Sequence, residues 1–373
     1  MRYCLPVLAL ALTIMVAIPP LSGTADACTG VTLKAGDGAV LYGRTNEWGA
    51  FDLNSRVVVI PRKHAFIGGT PDGKPGKRWA AKYGVLGIDM LERGALADGM
   101  NEKGLAVGLF YLPGFTQYQA YDPAKAAKTI GPADLVMYLL TQCAGVDEVR
   151  AELKKIVVAA VPEPSIGFPA PVHLLVTQPD GAAIVVEYHE GQPRIYDNPL
   201  GVITNSPNFD WHMTNLRNYV NLSPIAWPDK KIRDLDFTPL GAGSGMIGLP
   251  GDFTPPSRFI RAVAFTQTAR PTADGPDAVY EIFRILDNFN APLGFAEGSD
   301  LKTPARSGLR SSTLWTSAWD TKNLALYYHT HLNRRVRMVD MKRVSFAPTD
   351  AGVTAFPLDR VRAEDIEDVT PKK

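Results

Sequence analysis

Six consecutive residues, Ala25-Asp26-Ala27-Cys28-Thr29-Gly30, hold the most distinctive chemistry in this chain. Ala25-x-Ala27 is a small-x-small triplet of the kind after which signal peptidases cut, and a cut there leaves Cys28 as the first residue. One residue would then carry both a thiol and an α-amine. A thiol ionises near about 8.5 and an α-amine near roughly 7.7–8.0. Part of the amine is therefore neutral at working pH and can take the thiol proton as a built-in general base. Two other fates stay open from these residues alone. A cut nearby would leave Cys28 an ordinary buried cysteine. Processing as a lipoprotein is the other, although Ala25-Asp26 fits poorly with the Leu-like residue expected three before such a cysteine.

The surrounding composition narrows the chemistry. Met1-Arg2 is a short basic start, and the apolar run over 5–18 is shorter than the ~20 residues that span a bilayer. No later run is apolar enough to span one, so the expectation is a signal peptide over 1–27 and an exported, periplasmic or secreted protein without a membrane span. Residues 28–373 show neither an internal repeat nor a Ser/Pro-rich linker and are expected to form one catalytic domain. A net charge of +1, with no basic block beyond Arg334-Arg335, gives no case for nucleic acid. Cys4 leaves with the signal, so Cys28 and Cys143 remain, too few for a disulfide framework. Cys143 closes an apolar helical pattern and reads as an inert core thiol. The six histidines show no metal spacing beyond His329-x-His331, and Gly241-x-Gly243-x-Gly245 lacks the Lys-Ser/Thr finish of a phosphate loop. No metal and no organic cofactor is expected.

The elements that must position Cys28 follow from periodicity. Val31 and Leu33 alternate with polar residues, Ala35-Gly36-Asp37-Gly38 makes a turn, and a return strand runs into Gly43-Arg44-Thr45-Asn46-Glu47. Such a hairpin brings 44–47 back beside Cys28. Further strands are predicted over 56–61, 82–87, 105–111, 172–178 and 182–188. A strand end over 201–205 leads into a helix over 209–220. Helices are predicted over 132–143, 146–156, 255–266 and 277–289, strands over 313–319, 324–332 and 336–341, and a surface tail from 350 onward. Blocks of strands and helices rather than strict alternation argue for an α+β fold and against a doubly wound parallel sheet.

Five stretches in chain order together carry a resemblance: Cys28-Thr29-Gly30; Gly43-Arg44-x-x-Glu47; Ala97-Asp98-Gly99-Met100-Asn101-Glu102-Lys103-Gly104-Leu105; Gly201-Val202-Ile203-Thr204-Asn205-Ser206-Pro207 with Phe209-Asp210-Trp211; and Gly248-Leu249-Pro250-Gly251-Asp252-Phe253-Thr254-Pro255-x-Ser257-Arg258-Phe259. The chain resembles the choloylglycine hydrolases, which include bile salt hydrolases and penicillin V acylases, within the N-terminal nucleophile hydrolases. The resemblance implies a four-layer αββα sandwich, a homo-oligomer (a tetramer), and hydrolysis of linear amides with an apolar acyl group. It implies Cys28 as nucleophile, Arg44 beside the thiolate, and a carboxylate orienting the α-ammonium. It further implies Asn205 as donor to the tetrahedral oxyanion, and Arg258 in the site.

Each position also has a plainer reading: Arg44 and Arg258 as surface cations, Asn205 as a turn residue, Glu47 facing solvent. Arg258 starts a helix, where a cation opposes the dipole and calls for an outside partner such as the thiolate or a carboxylate. Glu47 stands where the family usually has Asp. Tyr111 stands where bile salt hydrolases usually have Asn and penicillin V acylases tend to have Tyr, whereas the stretches around 204–211 and 248–259 look more like bile salt hydrolases. Conjugated bile salts are the first expectation for substrate, with penicillin V or acyl-homoserine lactones next; an exported binding protein that has lost catalysis is the competing class. Trp48, Phe110 and Tyr111, with Phe51 and Trp211, are expected to line the acyl pocket or to be plain core.

Overall fold

The computed structural model describes residues 28–49, 53–92, 94–164, 167–297, 310–361 and 366–371. The expected signal segment with its cleavage site, and Phe51, lie outside the described residues. No helix among the described residues is long and apolar enough to cross a membrane.

Two antiparallel sheets stack face to face. The six-stranded sheet runs in the order Thr29–Lys34, Val40–Trp48, Arg310–Asp320, Ala325–Thr330, Arg337–Asp340, with Ala296–Glu297 beside Arg310–Asp320. The eight-stranded sheet runs Gln192–Asp197, Ala183–His189, Val172–Thr177, Ala106–Tyr111, Ala95–Asn101, Val85–Met90, Arg56–Ile60, Thr354–Pro357. Helices Pro255–Gln267 and Gly275–Asp287 cover the outer face of the first sheet, and Leu135–Gln142 covers that of the second. The result is the expected αββα sandwich.

The layering follows from side-chain alternation. In Ala183–His189, Val185 faces the core between the sheets, while Ile184 and Val186 face the outer helices. Val172–Thr177 does the same, with Leu175 inward and Leu174 and Val176 outward. A strand covered on both faces has no polar side, so it reads as an apolar run. Helix Gly275–Asp287 buries Ala278, Val279, Ile282, Phe283, Ile285 and Leu286, the stripe a helix turns to one sheet.

The Asp-Gly hairpin forms as expected. Gly38 takes φ +83°, the left-handed conformation that a side chain resists. The register pairs Thr29 with Thr45 and Gly30 with Arg44, which fixes the strand 40–48 beside Cys28. Backbone bonds in both directions between Gly30 and Ile203 (2.9 and 3.0 Å) then bring the 203–205 segment to the same place.

Three expectations are corrected. Residues 201–205 are not a strand end but a loop carrying the single Gly30–Ile203 bridge. The helix over 209–220 is α only over Phe209–Asn215 and tightens to a 3₁₀ turn over Leu216–Tyr219. The tail is not all loose surface: Thr354–Pro357 pairs with Arg56–Ile60 and Leu358 is buried. Exposed edge strands such as this one and Gln192–Asp197 carry little hydrophobic signal, which is why periodicity passes over both.

The sheets pack tightly at Gly108, where a Cβ would clash with the Tyr42 hydroxyl oxygen. Gly108→Ala is therefore expected to destabilise the protein by about 1–3 kcal/mol or more through overpacking. Urea denaturation measures it, and an unchanged midpoint would show that the sheets are free to separate there.

Candidate active site

Cys28 sits at the head of the first strand and is buried. Neither Cys28 nor Cys143 is in a disulfide. Burial pushes the Cys143 thiol up to about 12, in keeping with an inert core residue.

Arg44 lies across the hairpin from Gly30, and its guanidinium is fully buried. Nη2 donates to Cys28 Sγ at 3.1 Å and to Asn46 Oδ1 at 3.0 Å. Nε donates to the Thr45 carbonyl at 3.2 Å, and Nη1 donates to the carbonyls of Ala97 (2.9 Å) and Leu109. All five N–H groups of the planar fork are thus engaged. The two carbonyls on Nη1 belong to neighbouring strands that pair only as far as Asp98 and Gly108. Arg44 reaches across from the other sheet and fills the opening one residue beyond. A cation at hydrogen-bond distance from sulfur favours the thiolate.

Asn205 holds the other side of Cys28. Its Oδ1 accepts from the Cys28 backbone nitrogen at 2.9 Å and from Arg258 Nη2 at 2.7 Å, while Nδ2 donates to the Tyr111 carbonyl at 2.7 Å. Two donors on one end and a carbonyl on the other assign the amide orientation. The expected oxyanion donor therefore turns its oxygen to the Cys28 nitrogen.

Arg258, in the first turn of Pro255–Gln267, is buried and points back into the site. Nη1 donates to the Cys28 carbonyl (2.5 Å) and Thr29 Oγ1 (2.8 Å), and Nε to the Phe253 carbonyl (2.9 Å). Its partners are neutral oxygens, not the thiolate or carboxylate expected. Burial lowers Arg258 to about 10, opposed by Glu47 and Cys28.

Glu47 is buried rather than solvent-facing. Its carboxylate accepts from Thr313 Oγ1 (2.6 Å) and Thr45 Oγ1 (3.0 Å), and the contact to the Cys28 nitrogen expected of it is made by Asn205 instead. The hydroxyl of Thr313 comes from a strand far along the chain and carries no sequence signal. Burial raises the Glu47 carboxyl to about 7, against the Thr313 and Thr45 hydrogen bonds and the two guanidiniums.

A largely apolar pocket opens beside Cys28, walled by Trp48, Leu53, Met90, Leu91, Leu109 and Tyr111, with Glu47 also at its edge. Tyr111 meets Trp48 edge-on, ring centres 5.9 Å apart. Phe110 is not a wall of this pocket. It points to the opposite face of its strand, under the Arg44 guanidinium at 4.4 Å. Trp211 is exposed and lies outside the wall. No group of His, Cys, Asp and Glu that could hold a metal ion occurs among the described residues.

The arrangement joins a thiol beside a buried guanidinium, a backbone nitrogen held by an amide oxygen, and an apolar pocket. Comparison with known proteins gives four findings. Residues 28–353 match the family model of linear amide C–N hydrolases, choloylglycine hydrolase family. The chain is 33% identical over 320 residues to a bile salt hydrolase/transferase of Clostridium perfringens, covering 85% of this chain and 93% of that one. It is 26% identical over 335 residues to a penicillin V acylase of Pectobacterium atrosepticum, 85% of this chain and 80% of that one. The crystal structure of a conjugated bile acid hydrolase from Clostridium perfringens superposes with a TM-score of 0.77 at 30% identity, covering 92% of this chain and 99% of the other.

Glu47 sets an expected pH dependence. Its folded value of about 7 lies above the ordinary 4.5, so the stability it contributes is complete below 4.5 and is lost as pH rises through 7. That loss amounts to about 3 kcal/mol. Thermal melts across this range should show the decline in the wild type and a flatter profile in Glu47→Gln. Parallel profiles would place the Glu47 titration elsewhere.

Proposed function

The chain belongs to the choloylglycine hydrolase family and is a hydrolase of linear amide C–N bonds, and we propose that it works as an exported N-terminal nucleophile enzyme on conjugated bile salts. The observation that carries the chemistry is the 3.1 Å contact between Arg44 Nη2 and Cys28 Sγ, with every other donor of Arg44 engaged in holding it there.

Removal of residues 1–27 converts the Cys28 nitrogen from an amide to an amine. That amine takes the thiol proton, and the thiolate attacks the substrate carbonyl carbon. A C–S bond forms and the carbonyl electrons move to oxygen. Asn205 Nδ2, with one hydrogen on the Tyr111 carbonyl, has a second to offer that oxyanion. When the C–N bond breaks, the departing amine takes the proton from the α-ammonium. Water then attacks the thioester, gives its proton to the α-amine, and the C–S bond breaks to restore the thiol. The apolar wall suits the acyl group. Resemblance to bile salt hydrolases around 204–211 and 248–259 favours a bile acyl group. Tyr111 in the pocket wall favours the second reading, penicillin V, whose phenoxy ring has an aromatic partner there.

Homo-oligomerisation is part of the proposal. The hairpin Lys230–Ile232 with Leu235–Phe237 exposes Ile232, Leu235 and Phe237, and Trp227 and Leu240 beside it are also exposed. An apolar group of this size on the surface marks an interaction site. Light scattering should give a mass of several chains, and a monomer would remove this part of the reading.

The central test is mature protein assayed on glycine- and taurine-conjugated bile salts, penicillin V and acyl-homoserine lactones. Mass spectrometry should place the first residue at Cys28. Turnover should fall by at least about tenfold in Cys28→Ser, because an alcohol is a far weaker nucleophile. The same loss is expected when an uncleaved Met precedes Cys28. Full activity with that blocked nitrogen would sink the built-in base.

A further inference from the structure

Behind Asn205 lies a buried polar cluster that the chemistry above leaves without a task. Glu187 is fully buried on the strand Ala183–His189, with His173 on the adjacent strand Val172–Thr177. Glu187 Oε1 pairs with His173 Nδ1 at 3.0 Å, Oε2 pairs with His189 Nε2 at 2.7 Å, and the Phe209 backbone nitrogen donates to the same carboxylate at 3.1 Å. The opposite nitrogen of His173, Nε2, lies 3.0 Å from the Thr204 carbonyl. Both ring nitrogens of His173 therefore face acceptors, and both must carry hydrogen: the ring is an imidazolium. His189 is different. Its Nδ1 lies 2.9 Å from the Asn208 side-chain amide. The cluster is thus a buried carboxylate paired with the His173 ring and completed by His189 and a backbone N–H. Although burial alone would raise the Glu187 carboxyl, the hydrogen bonds from His173 and His189 hold it down to about 2.

The next carbonyl is clamped as well. His212 Nε2 donates to the Asn205 carbonyl at 2.9 Å, its ring stacked on Phe259 with centres 4.8 Å apart. Burial drops His212 to about 4, so it serves as a neutral donor. Two consecutive carbonyls, on either side of the Asn205 N–Cα unit, are held by two histidines. The side-chain amide of Asn205 is in turn held by the Cys28 nitrogen, Arg258 and the Tyr111 carbonyl.

We infer that His173 and Glu187 are positioning residues of this site, fixing Asn205 against the Cys28 nitrogen through the Thr204 carbonyl. The claim rests on the reading of Cys28 as nucleophile and base. Residues 201–205 have only one bridge to a strand, so a loop, not a sheet, presents the amide. A charge-assisted donor on the preceding carbonyl supplies the missing rigidity. Neutral His173 could satisfy only one of its two acceptors. Glu187 is what keeps the ring charged, and the strand pairing beneath it keeps the ring still.

Two measurements test this. Histidine-selective ¹⁵N NMR of the mature wild-type protein should show one ring with hydrogen on both nitrogens at neutral pH, assigned to His173 by its loss in His173→Gln. Steady-state kinetics on glycocholate and penicillin V should show His173→Leu and Glu187→Gln lowering kcat by about tenfold or more, with KM held within about threefold, as for lost preorganisation. His173→Gln keeps an N–H for the Thr204 carbonyl and should recover part of the loss. A folded His173→Leu with wild-type kcat overturns the role, and so does a wild-type His173 ring without hydrogen on Nε2. If the variants do not fold, the wild-type ring state decides. Wild-type protein that turns over neither substrate defeats the proposed function, while the ring state still reports on the clamp.

Discussion

A buried guanidinium is the constraint on which the rest of this structure depends. Taking Arg44 out of water costs several kcal/mol unless its donors are fully met, and they are met by groups from both sheets and from Cys28. The same residue therefore closes the opening between two strands of one sheet, anchors the hairpin of the other, and sets a cation against a thiol. Phe110 and Trp315 lie against the guanidinium at 4.4 and 5.3 Å, replacing water on its faces with aromatic rings. A lysine has neither the fork nor the flat faces for this position.

A second buried cation completes the electrostatics. Arg258 is lowered to about 10 by the same burial that raises Glu47 to about 7. Two arginines, a carboxyl poised near neutrality and a sulfur share one dry space, so a thiolate there offsets charge that is already buried. Asn205 lies at the junction, accepting from Arg258 and from the Cys28 nitrogen with one oxygen. The site therefore sets cations against the Cys28 sulfur on one side and an amide oxygen against its nitrogen on the other.

The remaining architecture keeps this space dry and open on one side. The helices pack on the outer faces of the two sheets, and apolar side chains from strand ends and loops make the pocket. In the wall, Tyr111 and Trp48 meet edge to face near the sulfur.

The hairpin from Cys28 to Glu47 was legible in the chain because its determinants are local: period-two alternation, an Asp-Gly turn, and a glycine at positive φ. The α+β class was legible too, through blocks of strand and helix pattern, while the four layers came only by resemblance. Asn205 and Arg258 could be named only by resemblance, since nothing near them in sequence marks a site. What the tertiary structure decided is which atom each side chain offers, and to whom. Asn205 turned its oxygen to the Cys28 nitrogen because Arg258 and the Tyr111 carbonyl left no other orientation. Glu47 went to Thr313, 266 positions away, and Phe110 went beneath Arg44. The pairing of His173 with Glu187, and of Thr354–Pro357 with Arg56–Ile60, likewise has no local signal. A hydrogen bond is satisfied by whatever the fold brings within about 3 Å, and for partners this distant in sequence only the packed sheets determine that.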